Sequence, residues 1–528
     1  MKNRTMQRRL LSLLLVAMLI ITAGCQSVNG FDLNKAMQNN YAVQSSQGTQ
    51  TVTMELIPNA SAQPAEEEKQ LLDLFSKVKL NLTEINQQDR THVSVKGELE
   101  YNKGKIPFQM VMSDQDYTFL VDGAKKPIVV HNSVGAMEKA QETMSKEMQE
   151  QFKQLYKKSV DFVPGFMSYI TGNLPNPKNI AVSDATETIH NEGLYLKRVH
   201  AEIRGNEVSD LIKSFLKNLL ADEKGMKDIL SQIYDMVLPL AQQAMKEDSS
   251  GSSAMNDMIA PYLNNKTLAV EFAFTFLKTN LQKAVDNYDQ SLNEALNGYQ
   301  GEELKKLLSE KQYVKYDMYV DNDLMPRKTS MEVSLTQLGS EYSAIDGLKI
   351  TMTSELWNIN KPVTVNAIDT SSGQLELTSL DKPGKILAAL NPDSQLYRLL
   401  KNDLKITKKE ITMFMDEESY YDGDFVKPYN RNGNVMVPAR FVVEQLDADV
   451  AWDPATQQVT ITDSITGTVI KLNIGSKQAL VNGAITPMEV EAELENGTTF
   501  VPIRVIAEGM GAKVAWDQEL QMVTITRD

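Results

Sequence analysis

Val437-Pro-Ala-Arg440 and Val501-Pro-Ile-Arg504 stand 64 residues apart, and the residues after them repeat as well. Glu444 matches Glu508. Val450-Ala-Trp-Asp453 matches Val514-Ala-Trp-Asp517, and Val459-Thr-Ile-Thr462 matches Val523-Thr-Ile-Thr526. Between 435–462 and 499–526, 14 of 28 aligned residues are identical. Self-similarity at a fixed period marks a duplicated supersecondary unit. Each copy reads as a short helix followed by a β-hairpin. Pro438 and Pro502 open the helices, where a missing N–H costs nothing. Arg440 with Glu444, and Arg504 with Glu508, form i,i+4 pairs worth about 0.2–0.5 kcal/mol each. Gly511 suits the end of the second helix, while the first copy has Asp447 there. Trp452 and Trp516, next to Asp453 and Asp517, are expected to pack across the sheet against the helix.

Upstream of the repeat, the pattern is that of strands mixed with helices. Val93, Val95, Leu99 and Tyr101 alternate with Ser94, Lys96, Glu98 and Glu100, as in a half-buried antiparallel strand. Ile106, Phe108, Met110 and Met112 continue the alternation, as do Tyr117, Phe119 and Val121. Apolar residues at three- and four-residue spacing predict a helix over 136–158. Pro164, Gly165 and Gly172 then punctuate the chain. A strand is predicted at 194–203 and helices at 207–221, 225–246 and 268–297. Strands are predicted again at 312–320, 328–336, 348–357 and 362–368, before helical segments near 383–401. The sum is an α+β chain: a curved antiparallel sheet with packed helices over 51–410, then the duplicated small α+β unit over 415–528.

The spacing Asn482-Gly483, Gly497, Val501-Pro-Ile-Arg504, Glu508-Gly-Met-Gly511-Ala512 and Val514-Ala-Trp-Asp517 resembles the copper amine oxidase N-terminal-like domain, also called the stalk domain. Asp422-Gly423 and Asn432-Gly433 fill the matching places in the first copy. The resemblance implies an appendage remote from catalysis. It does not imply copper. The oxidases need a His-x-His pair and a tyrosine in Asn-Tyr-Asp/Glu. Here Asn287-Tyr288-Asp289 lies inside a helical pattern, and His92, His131, His190 and His200 are scattered. The pieces Tyr316–Leu335 and Ile350–Val365 resemble half-open-barrel lipoproteins of the lipid-carrier type. That resemblance implies a methionine-rich cavity for an acyl chain; the alternative is that the methionines are simply core.

At the other end, Lys2, Arg4, Arg8 and Arg9 precede an apolar run from Leu10 to Ile21 broken only by Ser12. The run is short for a membrane span and suits a signal peptide. Thr22-Ala23-Gly24 and the chain's one cysteine, Cys25, follow. This resembles a bacterial lipoprotein signal. It implies removal of 1–24, a diacylglycerol on the Cys25 thiol, and attachment to the outer face of a Gram-positive cell membrane. Cleavage removes four basic residues and no acidic ones, so the net charge moves from −15 to −19. Residues 25–50, rich in Gln, Asn and Ser, read as a flexible tether.

Composition narrows the function. One cysteine excludes a disulfide framework and cysteine-based zinc sites. The acidic balance argues against nucleic acid. Nucleophile elbows, phosphate loops and zinc-protease motifs are absent from the sequence. The expectation is a non-catalytic, membrane-anchored extracellular lipoprotein with no cofactor and no metal site. Its C-terminal module would bind cell-wall material or surface proteins, or act as a spacer. The alternative is a carrier that holds a lipid or other apolar ligand in the central domain.

Overall fold

A computed structural model describes residues 27–28, 30–132, 145–247, 261–299, 301–339, 343–415, 428–495 and 497–527. The chain is α+β with curved sheets, as its patterning predicts. It divides into two compact units. The first takes the described residues up to Phe119 together with His131–Ile368; the second takes Leu120–Val130 and the residues from Asp369 onward.

The first unit begins with α1 (Leu33–Ala42), β1 (Ser46–Pro58) and α2 (Glu66–Phe75). Glu66, Glu67 and Glu68 fill the first turn of α2, where carboxylates favour the helix dipole. A meander follows: β2 (Lys77–Gln87), β3 (Val93–Tyr101), β4 (Gly104–Met112) and β5 (Asp116–Val121). β6 (Ile128–His131) lies mainly in the second unit. After α3 (Lys146–Gly172) come β7 (Asn179–Ile189) and β8 (Glu192–Arg204). The helices α4 (Gly205–Ala221), α5 (Glu223–Glu247), α6 (Lys266–Asp286), α7 (Tyr288–Leu296) and α8 (Gly301–Leu307) precede β9 (Tyr313–Val320), β10 (Pro326–Leu335) and β11 (Ile345–Trp357).

Ten of these strands lie in the order β5-β4-β3-β2-β1-β11-β10-β9-β8-β7. Every neighbouring pair from β4 across to β7 is antiparallel. The register sorts the side chains by face. One row runs Ile106, Leu99, Leu80, Val52, Met352, Met331, Tyr316, Ala201, Ile180. The next row, on the opposite face, runs Lys105, Glu100, Lys79, Thr53, Thr351, Glu332, Lys315, Glu202, Asn179. Directly opposed residues share a face, so a period of two gives one apolar face and one charged and hydroxyl-bearing face.

Helices gather on the apolar side. Leu33, Ala36 and Met37 of α1 are buried against Val199, Ala201, Met318 and Val320. α3 packs on α1 and on α5, α5 packs on α6, and α6 packs on α4, which reaches β8. Three sequence expectations are corrected here. The segment read as a flexible tether contains α1 and the start of β1. Its Leu33, Ala36 and Met37 repeat at helical spacing and bury one face, which a composition count passes over. α3 runs through Pro164 to Gly172 instead of stopping, because packing against α1 and α5 offsets the lost hydrogen bond. Residues 362–368 form no strand; Asn366 instead donates from its backbone N–H to Ser94 Oγ and from Nδ2 to Glu84. Residues 136–144 of the predicted helix lie outside the described residues.

The second unit starts from β6, which pairs in parallel with β12 (Leu375–Glu376). Short helices α9 (Pro383–Ala388) and α10 (Gln395–Arg398) lead to β13 (Lys409–Phe414). The first repeat holds β14 (Tyr429–Arg431), β15 (Asn434–Pro438), α11 (Ala439–Gln445), β16 (Asp449–Asp453) and β17 (Gln458–Thr462). Then come β18 (Val469–Asn473), β19 (Gln478–Val481), β20 (Ala484–Pro487), β21 (Glu493–Glu495), β22 (Thr498–Pro502), α12 (Ile503–Gly509), β23 (Lys513–Asp517) and β24 (Met522–Arg527).

The two copies face each other across β15 and β22. Val437 pairs with its repeat equivalent Val501, flanked by Met436–Pro502 and Pro438–Phe500. That register places a local two-fold axis at the valines. The strand before each copy is exchanged: β13 pairs with β24 of the second copy, while β18 pairs with β17 of the first. One core therefore draws on both copies, with Val442, Leu446, Ile461, Ile470, Ile506, Met510 and Ile525 all buried. Asp447 adopts φ 60° where its counterpart Gly511 has φ 75°. The departure from glycine thus keeps the left-handed helix end, a conformation that Asp tolerates better than most residues.

Candidate functional site

The duplicated module is where the sequence concentrates its candidate residues. Pro438 and Pro502 each end a strand and cap the helix that follows. Arg440 and Glu444 pair on the surface of α11 at 3.2 Å. Arg504 and Glu508 are exposed on α12, and among the described residues they make no ion pair. The tryptophans do not enter the core. Trp452 is 36% exposed and Trp516 38%. β16 and β23 are edge strands, each paired with the next strand in the chain only, so their aromatic side chains sit at the rim. Trp452 shares a cleft of about 240 Å³ with Ala439, Arg440, Val459, Leu494 and Thr499. Asp453 turns inward on its own loop, accepting from the Ala455 N–H and the Thr456 hydroxyl, bonds that hold its carboxyl below the usual value. Asp517 caps the corresponding turn by accepting from Glu519 and Leu520 N–H.

The first unit offers a different kind of surface. The middle of its apolar face, Val52, Met54, Leu56, Leu80, Leu82, Ile350 and Met352, is only half-buried. One flank is closed: Val199, Ala201 and Met318 lie under α1. Tyr316, at the covered end, has its phenol pushed up by burial and then by Tyr41. An antiparallel sheet ordinarily solvates its polar face and seals its apolar one. Here the centre of the apolar face is left partly open.

The histidines are separate. His200 bonds Asp317 at 2.8 Å, and Arg198 Nε donates to the same carboxylate at 2.7 Å. His190 stacks on Trp357 with 4.2 Å between ring centroids. His131 pairs with Asp116, and His92 lies 3.0 Å from Asp89. Among the described residues no group of three metal-ligating side chains converges. Asn287-Tyr288-Asp289 joins α6 to α7; the Tyr288 hydroxyl donates to the Ser209 carbonyl at 3.0 Å, which is a packing role. Cys25, Asp422 and Gly423 lie outside the described residues.

Residues 415–525 match the family model of the copper amine oxidase N-terminal domain. Such a domain is a non-catalytic, stalk-like module. No curated protein matches the chain. Sequence reasoning located the module and its turns, and it missed the exchange of β13, which lies just before the matched region. That strand alternates over one short stretch only, with Ile411 and Met413 as its buried apolar pair.

Proposed function

We propose that this is a non-catalytic, lipid-anchored protein of the extracytoplasmic membrane face. Its first unit holds an apolar ligand against the sheet, and its C-terminal module serves as an envelope-binding or spacer part. The observation that carries the ligand role is the half-buried row Leu80, Val52, Met352. Burying apolar surface is worth about 25 cal/mol per Å², so a hydrophobic chain laid there is stabilised in proportion to the area it covers. Methionine side chains adapt to acyl chains of varied shape. Anchoring at Cys25 suits this role. Only eight Cα–Cα steps separate it from Leu33, a reach of at most about 28 Å, which keeps the docked α1 near the bilayer.

Mass spectrometry tests both halves. An acyl mass on Cys25, and loss of membrane association in Cys25→Ser, support the anchor; a Cys25→Ser chain that stays with the membrane overturns it. Organic extraction of the purified Cys25→Ser chain should release acyl lipid, and an empty chain that cannot be loaded overturns the ligand role. Envelope binding, over mere spacing, is favoured by the exposed Trp452 beside Arg440. Trp452→Ala should then weaken retention on isolated wall material, and unchanged retention leaves the module a spacer.

A further inference from the structure

At one end of the sheet of the first unit two turns meet a helix. The turn Asp89–His92 joins β2 to β3, and Asp114-Gln115 joins β4 to β5. Both leave the sheet at the same end, and His92 Nε2 lies 3.8 Å from Asp114. Across from them stands α3, presenting Lys153, Tyr156, Lys157, Val160 and Asp161 at the three- and four-residue spacing of one helical face. Between turns and helix is a cleft of about 550 Å³. Because α3 packs on α1, and α1 covers the apolar face, the cleft opens on the apolar side of the sheet.

Its charges are ordered by depth. Arg90 is only 18% exposed, while Asp161 and Asp114 are 70% and 64% exposed at the rim. Asp89 is engaged by the backbone N–H groups of Thr91 and His92 and by the His92 ring. Arg90 makes long contacts, 3.4 Å to the Tyr41 carbonyl and 3.9 Å to Asp161. Charge-assisted bonds run about 2.7–2.9 Å, so its guanidinium retains donor capacity. Lys157 has no ion-pair partner among the described residues. The cleft therefore holds one deep cation, Arg90, with the exposed Lys157 and the exposed carboxylates of Asp114 and Asp161 around its rim, at the mouth of an apolar surface.

We propose that this cleft takes the phosphate of an acyl lipid whose chains lie along the half-buried face. The proposal rests on the apolar-ligand role of the sheet. Arg90 clamps the phosphate oxygens from the turn, and Lys157 closes on them from α3.

The test uses the Cys25→Ser chain, with phosphatidylglycerol or diacylglycerol of identical chains supplied from detergent micelles. Binding is read by native mass spectrometry. Phosphatidylglycerol should bind about tenfold more tightly than diacylglycerol, the value of one charged hydrogen bond. The double variant Arg90→Gln, Lys157→Gln should lose that preference and keep diacylglycerol binding. Equal binding of the two lipids by the parent chain, or an unchanged preference in the variant, overturns the headgroup site while sparing the carrier role. If neither lipid binds, the carrier role fails, and glycerol 3-phosphate decides the cleft alone. A shift of the His92 imidazole signals that disappears in Arg90→Gln sustains an anion site. No shift overturns it. Arg90→Lys, which keeps the charge, checks that the loss is not one of folding.

Discussion

Asp463 and Arg527 occupy equivalent positions in the two repeats, and they form an ion pair with each other. Both are buried, at 0% and 3% exposure. Arg527 also donates to the Leu446 carbonyl at 2.8 Å, and Asp463 accepts from the Ile465 and Thr466 N–H groups. Duplication supplied two copies of one position, and opposite charges there tie the end of one copy to the other. Breaking a buried pair from one side leaves an uncompensated charge. Arg527→Met should therefore cost about 3–5 kcal/mol, while Arg527→Met with Asp463→Leu should recover much of it. Urea unfolding followed by tryptophan fluorescence, with Trp357 of the first unit replaced by Phe so that Trp452 and Trp516 alone report, checks both values.

Strand exchange makes a residue outside the repeat part of its core. Met413 of β13 is fully buried against the second copy. Met413→Ala should destabilise the module by about 2–5 kcal/mol. Leu472→Ala, on the reciprocal strand β18, should cost a similar amount. A negligible loss at Met413 with a large one at Leu472 would mean that β13 does not complete the second copy.

Two Asn-Gly turns isolate a backbone cost. Asn432-Gly433 and Asn482-Gly483 each have positive φ at both residues, near 50° and 80°. This is the hairpin turn whose twist matches the flanking strands. Around Gly433 and Gly483 a Cβ would meet no atom within 4 Å. Alanine at either site therefore pays only for left-handed backbone, roughly 1–2 kcal/mol. Thermal unfolding of Gly433→Ala and Gly483→Ala should show comparable falls in Tm.

Asp317 gives the first unit a pH signature. Burial pushes its carboxyl up, but hydrogen bonds from Arg198 and His200, with their charges, outweigh this and hold it below the usual carboxylate value. Its contribution is complete above the unfolded value near 3.9 and is lost as pH falls through the lower folded value. Arg198→Gln should bring the folded value back up and erase this contribution at neutral pH. Carboxyl NMR titration of Asp317 should show the upward move; an unchanged titration would mean the Arg198 bond does not set it.

The sequence by itself determined whatever depends on local spacing. Period-two alternation placed β3 and β4, because neighbouring side chains on a strand must point to opposite faces. The 64-residue repeat located both helix-hairpin units, and its Asn-Gly pairs marked turns that need positive φ. The tertiary structure decided what depends on residues distant in the chain. Which strand completes each repeat follows from β24 pairing with β13, more than 100 residues upstream, while β17 pairs with β18, the next strand in the chain. That Trp452 stays at the rim follows from β16 being an edge. The docking of α1 depends on Val199 and Met318, far away in sequence. The cleft at Arg90 exists only because two turns and the face of α3 meet at one end of the sheet. Spacing along a chain specifies periodicity and backbone conformation, whereas partners and depth of burial are set by the packed whole.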